Sequence, residues 1–315
     1  MISKVVGRDP KRWLIYSIAI ASTVFIVHKL ISFTDWTQFL SVISYSSISA
    51  ELLVLIFILP FLIIYLESVK WKYLLAPMVN ISQKMSLWSV LMGISTGIFT
   101  PGRVGEIAGR LIADHTKQKP YTTSMFVVGS LIQTFLTVFL GVIGIYFFKL
   151  DVFNGKLVIV LIFIASLPLM IWALIKGVQR IFPKYYPAET INHAWLSLRQ
   201  TSLKKVFITT LISLIKYSVY SLQLYLALHF FNPSLELFST LPKIAIFYFG
   251  VTFLPGFLWA DLGIRGSLSL VLFSTTLVQG ASILIPIYFI WLLNSCLPAL
   301  VGLMALLSQK KVNIK

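Results

Sequence analysis

Long apolar runs recur along almost the whole chain, from Trp13 to Leu307. A helix needs about 20 predominantly apolar residues to cross a bilayer, and in lipid its backbone must be hydrogen-bonded within the segment. Runs of this length lie at 12–32, 50–76, 121–148, 157–176, 206–231 and 281–307. The pattern predicts an all-α integral membrane protein.

Composition agrees with this prediction and excludes a nucleic-acid-binding role. The chain is 58% hydrophobic and only 11% charged, whereas soluble domains carry about 25% charged residues. Its net charge of +16 comes from short basic clusters between apolar runs, not from one basic stripe. Such clusters are typical of cytoplasmic loops, and anionic lipid headgroups are their natural partners.

The sequence offers no metal or disulfide framework, and no cofactor is predicted. Cys296 is the single cysteine, and the four histidines are scattered without metal-ligand spacing. The basic and then apolar N-terminus resembles a signal peptide but lacks a convincing cleavage site, so we interpret it as a retained first span. Residues 1–315 are expected to form a single transmembrane domain.

Loop charges predict the orientation of the spans. The N-terminal tail, the 68–84 and 177–205 loops and the C-terminal tail are rich in Lys and Arg, and basic loops remain in the cytoplasm. The 33–49 and 232–242 loops are poor in these residues and are expected to face outside. Both termini are therefore predicted to be cytoplasmic.

Two further apolar segments, 85–112 and 238–278, are broken in the middle. If 85–112 crossed once, the basic 177–205 loop would face outside, against the charge rule. If both segments are re-entrant hairpins of opposite orientation, every basic loop faces the cytoplasm and six full spans remain. Two such elements also suggest that 1–150 and 151–315 are inverted halves. Eight plain spans remain the other topology compatible with the pattern.

The first break contains Pro101, Gly102, Arg103, Gly105, Glu106 and Arg110. Pro101 is expected to end the incoming helix, and Gly102 to permit a tight turn. Arg103 and Glu106 are spaced for an i,i+3 pair, and Arg103 and Arg110 for one helix face. If Glu106 pairs with Arg103, the positive charge of Arg110 has no partner. An anionic headgroup would neutralise it, since a guanidinium holds phosphate bidentately. Alternatively, these charges lie at the interface and only orient the hairpin.

The second break contains the same types of residue as the first and lies about half a chain length after it. Its predicted breaker and turn residues are Pro255, Gly256, Gly263 and Gly266. Asp261 and Arg265 are spaced for an i,i+4 ion pair, and Glu67 and Lys70 for an i,i+3 pair at the cytoplasmic end of the second span. Lys216, deep in the 206–231 run, is a further candidate for the cavity, with a position near the headgroups as the alternative. We expect Arg103, Arg110, Arg265 and Lys216 to hold the headgroup, and Glu106 and Asp261 to orient the arginines or to titrate.

Three stretches resemble the lysylphosphatidylglycerol synthase transmembrane-region family, also called the flippase-like domain family. They are 70–75, with its basic-Trp-x-x-Leu-Leu pattern, Pro-Gly-Arg-Val-Gly-Glu at 101–106 followed by Arg110, and Leu-Gly-Ile-Arg-Gly at 262–266. The resemblance covers roughly 10–308. In place of the acid that the family carries after the second arginine, this sequence has Gly266, and an acid stands earlier, at Asp261.

The resemblance implies a re-entrant membrane fold that moves aminoacylated phosphatidylglycerol or polyprenyl-linked lipids across a bacterial or archaeal inner membrane. Enzyme motifs are absent from the sequence, and no aminoacyl-transfer domain follows residue 315, so we expect no enzyme. An integral-membrane enzyme acting on a lipid-linked substrate and a non-transporting partner of a lipid or polysaccharide pathway are the alternatives. A homodimer or a lipid-modifying enzyme partner is also left open.

Overall fold

A computed structural model describes residues 50–76, 78–98, 100–113, 118–148, 202–254, 258–274 and 280–312. These parts of the chain are helical and contain no strand. The helices are α1 (Ala50–Leu75), α2 (Gln83–Gly97), α3 (Glu106–Ile112), α4 (Lys119–Phe148), α5 (Leu203–Phe231), α6 (Leu237–Phe253), α7 (Leu258–Phe273), α8 (Gly280–Trp291) and α9 (Leu297–Val312). A 3₁₀ turn, Pro101–Arg103, precedes α3, and a π-helical turn, Leu292–Cys296, joins α8 to α9.

Four helical stretches are long and apolar enough to cross a membrane: Ala50–Leu75, Lys119–Phe148, Lys204–Phe231 and Ser282–Ser308. They coincide with four of the six predicted spans, and the chain is an all-α multi-pass membrane protein. The predicted spans 12–32 and 157–176 lie outside the described residues. The total of six therefore stays a prediction.

Helices α1 and α5 run antiparallel through the middle of the described structure. Gln223 donates to the backbone oxygen of Ile56 at 3.1 Å, and Lys216 pairs with Glu67. As residue numbers rise along one helix, those of its partner fall. The C-terminal end of α1 therefore lies beside the N-terminal end of α5.

The start of α4 lies at this same end of the bundle. Tyr121 donates its hydroxyl to the backbone oxygen of Leu74 at 3.1 Å, and Lys205 donates to Tyr121 at 3.0 Å. At the opposite end, Asn232 after α5 accepts from Ser282 near the start of α8 at 3.0 Å.

Helices α2 and α3 fold back on each other between α1 and α4. Ser82 caps α2 by accepting from the backbone N–H of Met85. Thr96 ties the two helices together, since its Oγ1 donates to the backbone oxygen of Gly105 and accepts from the N–H of Gly109. With 15 and 7 residues, neither helix has the length of a span.

Helices α6 and α7 form a second pair, between α5 and α8, and Leu268 of α7 packs against Gly250 of α6. This pair is attached at the end of the bundle opposite to the attachment of α2 and α3, because α5 runs from one end to the other. The predicted breakers Pro255 and Gly256 lie outside the described residues.

Three local predictions about these elements were wrong. Pro101 does not end α2, which stops at Gly97; the proline instead begins the 3₁₀ turn. Gly263 and Gly266 are not turn residues, because both are buried inside α7. Glycine is tolerated inside a helix at a cost of about 1 kcal/mol relative to alanine, so neither residue turns the chain here.

Candidate functional site

Glu67 lies at the centre of a cluster of cations within the bundle. Its Oε2 lies 2.6 Å from the Nζ of Lys70 and 2.6 Å from the Nζ of Lys216, and its Oε1 lies 3.0 Å from a guanidinium nitrogen of Arg110. The three partners come from α1 itself, from α5 and from α3. One carboxylate thus joins three helices.

Arg110 is held from several sides, and only 3% of it is exposed. Besides Glu67, its guanidinium lies 3.8 Å from Glu106, 4.6 Å from the ring centre of Trp71 and 5.3 Å from that of Phe126. Cation–π contacts of this kind stabilise a desolvated guanidinium. Its Nε has no hydrogen-bond partner among the described residues.

The turn before α3 places Arg103 apart from Arg110. Gly102 and Arg103 both have positive φ, 61° and 56°. This conformation is common for glycine but costs an L-residue about 1–2 kcal/mol. Arg103 therefore lies in the turn and not on the α3 helix, so the predicted shared face of Arg103 and Arg110 was wrong.

Arg103 reaches from the turn to the last span. It lies 3.6 Å from Glu106, and its Nη2 donates to the Ser295 hydroxyl at 2.8 Å. Its side chain is 40% exposed, whereas that of Arg110 is 4% exposed. Among the arginines near Glu106, Arg103 is therefore the more accessible.

The second motif packs against the same span. Arg265 donates from Nε to Asp261 at 2.9 Å, and Trp291 donates to the other carboxylate oxygen of Asp261 at 2.8 Å. Asp261 is also close enough to Arg103 for direct electrostatic attraction. Trp291 and Ser295 lie one turn apart, so this span connects the two motifs.

Together these side chains form a charge network, and all are at least half-buried. Its members are Glu67, Lys70, Arg103, Glu106, Arg110, Lys216, Asp261 and Arg265. Five cations face three carboxylates, which leaves a formal surplus of two positive charges. Charges at membrane depth are costly and therefore pair or mark a functional pathway. A bound dianion, or two monoanions, would neutralise this surplus.

The structure brings every predicted charged residue that it describes into one region. The expected pairs Arg103–Glu106, Asp261–Arg265 and Glu67–Lys70 are all present. Of the two positions considered for Lys216, the structure has the interior one, against Glu67.

Sequence reasoning missed Glu67 as the central acid and treated it only as an interfacial partner of Lys70. It also missed Ser295 and Trp291, which connect the two motifs. One signal was available, because Glu67 is an acid within a long apolar run, and such a residue is a functional candidate by default.

A small pocket lies beside Arg110 at the end of the bundle where α1 stops. It is lined by Trp71, Leu75, Val79, Ile81, Met85, Ser89, Arg110, Ala113 and Thr122. Among the described residues, no group of three or more His, Cys, Asp or Glu side chains could hold a metal ion. The charge network itself presents guanidinium and ammonium donors together with three carboxylates.

Comparison with known proteins identifies the family. The model of the lysylphosphatidylglycerol synthase TM region matches residues 14–264, whereas no curated protein and no solved structure matches the chain. The match includes 70–75 and 101–110 but ends before Arg265 and Gly266, so it is shorter than the predicted 10–308. Because it spans well over half of the sequence, the chain belongs to the lysylphosphatidylglycerol synthase TM region family.

Proposed function

We propose that this protein is a lipid translocase that binds the anionic headgroup of a phospholipid or polyprenyl-linked lipid. The observation that carries this proposal is the positive surplus of the charge network, five cations against three carboxylates, which packs against helices long enough to cross a membrane. Family membership supports a lipid-related role in the membrane.

Within this proposal the arginines have different tasks. Arg103 and Arg265 are partly exposed, and both interact electrostatically with Asp261, so they are the first contacts for a phosphate. Arg110 and Lys216 are buried and hold the positive potential behind them. Glu106 and Asp261 orient the arginines, and each releases its partner when a stronger anion arrives.

The proposed membrane arrangement has six spans, cytoplasmic termini and a location in a bacterial or archaeal inner membrane. The pairs α2–α3 and α6–α7 would be re-entrant hairpins. Their short helices and their attachment at opposite ends of the bundle support this arrangement. A backbone that turns at membrane depth is tolerated where it is buried in protein, and Thr96 and Thr100 satisfy backbone groups at the first turn.

Reconstituted protein tests the function directly. Vesicles would contain a fluorescent phosphatidylglycerol, and a membrane-impermeant quencher would report how much of it changes leaflet. We expect faster exchange with the wild-type protein, and exchange near the protein-free rate with Arg103→Ala plus Arg265→Ala. The matched control is Lys84→Ala plus Lys204→Ala, which removes two exposed cations outside the network. Equal exchange by the two double variants would refute the role of these arginines.

We propose further that the chain performs no covalent chemistry on the lipid. Mass spectrometry of the lipid after incubation with the purified protein checks this. A new lipid product would favour the enzyme alternative, with Glu106 or Asp261 as a base. Wild-type protein that neither moves nor changes the lipid would favour a partner of a lipid or polysaccharide pathway.

A further inference from the structure

Helix α5 carries a polar stripe on the side that faces the protein. We define the polar stripe as Lys205, Thr209, Ser213, Lys216 and Gln223, which are 8%, 0%, 0%, 9% and 0% exposed. At 3.6 residues per turn these five positions lie within an arc of roughly 80°. The opposite side of α5 is exposed and apolar, with Phe207, Leu211, Leu214, Ile215 and Leu222.

The length of the polar stripe is close to the thickness of a bilayer. From Lys205 to Gln223 it extends about 27 Å at 1.5 Å per residue, and the hydrocarbon core of a bilayer is about 30 Å thick. A packed span has no need for polar residues at every depth, because apolar side chains would fill the same volume without desolvation cost. The polar stripe is therefore nearly as long as the hydrocarbon core is thick.

Two residues of the polar stripe lack partners for a charge or a hydroxyl group. Lys205 contacts only the hydroxyl and ring of Tyr121 and the sulfur of Met125, so no carboxylate among the described residues neutralises it. The Ser213 hydroxyl has no hydrogen-bond partner among them. Both are groups that an anion or its water shell would satisfy.

The polar stripe also connects one end of the bundle with the charge network. Lys205 lies at the end where α1 stops and α4 begins, and Lys216 belongs to the charge network through Glu67. Gln223, farther along, accepts from Asn294 at 2.7 Å. Asn294 belongs to the π-helical turn, and its neighbour Ser295 binds Arg103. One end of the membrane is thus joined to the network by a single polar surface.

We propose that the polar stripe of α5 lines the route by which an anionic headgroup and its water reach the charge network from the Lys205 end. This inference rests on the proposed function and names the path that the function would use. The route is closed in this structure, so α1 and α5 must separate along the stripe for a headgroup to enter. The lipid tails remain outside, against the apolar side of the bundle.

Cysteine accessibility tests the route. In a Cys296→Ser background, which first has to fold like the wild-type protein, Ser213→Cys is compared with Ile215→Cys, two residues away on the lipid-facing side. Methanethiosulfonates react with thiolates, which form only in contact with water, so we expect Ser213→Cys to react at least about tenfold faster. Lys204→Cys, at the exposed start of α5, is the positive control.

The charge of the reagent tests the preference for anions. Relative to Lys204→Cys, the cysteine at 213 should react faster with an anionic methanethiosulfonate than with a cationic one. Modification at 213 should also stop movement of fluorescent phosphatidylglycerol. Thr209→Cys serves as the second variant if Ser213→Cys does not fold.

The outcomes separate the route from the function. Labelling at 213 no faster than at 215 in protein that moves lipid overturns the route and leaves the translocase proposal intact. Undiminished lipid movement after complete modification at 213 also overturns it. Fast, anion-selective labelling in protein that moves no lipid supports a polar route to the network and contradicts the proposed function.

Discussion

Lys216 and Glu67 are 149 positions apart in the sequence, and the lysine Nζ lies 2.6 Å from the glutamate Oε2. This ion pair joins two antiparallel helices, near the middle of α5 and about two turns before the end of α1. Because Glu67 also binds Lys70 and Arg110, a single carboxylate holds three cations that would otherwise repel one another. The helix that carries the polar stripe is therefore attached electrostatically to the helix pair that carries Arg103.

Glu67→Gln should destabilise the protein strongly. The substitution leaves three buried cations without their shared carboxylate, and loss of one partner of a buried ion pair typically costs about 3–5 kcal/mol. Thermal unfolding in detergent should show a clear decrease in melting temperature. Glu51→Gln, at the exposed start of the same helix, should unfold like the wild type.

Removal of Lys216 as well should recover part of this loss. In Glu67→Gln plus Lys216→Met one unpaired cation is gone, so the double variant is expected to melt at a higher temperature than Glu67→Gln alone. A double variant that melts lower than the single one would mean that Lys216 is stabilised by something other than Glu67.

Arg103→Gly should be more stable than Arg103→Ala. Both variants lose the guanidinium and its contacts with Glu106 and Ser295, but only glycine adopts a φ of 56° without steric cost. The expected difference is about 1 kcal/mol in the free energy of unfolding. Denaturant titration of the two variants measures it, and an alanine variant as stable as the glycine variant would contradict backbone strain at this turn.

Gly109→Ala should disrupt the α2–α3 pair. A Cβ at this position would meet the backbone oxygen of Met92, which cannot move away as a side chain can. Overpacking of this kind costs about 1–3 kcal/mol, so the melting temperature should fall. At Gly280 the nearest heavy atom would lie 3.8 Å from the new Cβ, and Gly280→Ala should be tolerated as the matched control.

Cysteines at Lys84 and Ser234 should be labelled from opposite sides of the membrane. Lys84 lies in the first turn of α2, where the first helix pair begins, and Ser234 precedes the second pair; both residues are exposed. We expect an impermeant thiol reagent to reach Ser234→Cys in intact cells and Lys84→Cys only in inverted vesicles. Labelling of both from one side would contradict the opposed attachment of the two pairs.

Much of the secondary structure and several contacts follow from the sequence alone. Four spans could be predicted because hydropathy is a local property that the bilayer reads over about 20 residues. The pairs Arg103–Glu106 and Asp261–Arg265 could be predicted because three or four positions separate their members, and helical or near-helical geometry brings such neighbours together. Gly102 was predicted at the turn for the same local reason, and its φ of 61° confirms it.

Only the tertiary structure decided which of these charges act together. Nothing within a few residues of Glu67 indicates that Arg110 and Lys216 will reach it, because those contacts depend on how α1, α3 and α5 pack. The left-handed backbone of Arg103 likewise separates it from Arg110, although spacing alone placed both on one face. The polar stripe was hidden for a similar reason. The mean hydropathy of α5 identifies it as a span. Only the packing of the helix shows that its polar residues face inward and its apolar residues outward.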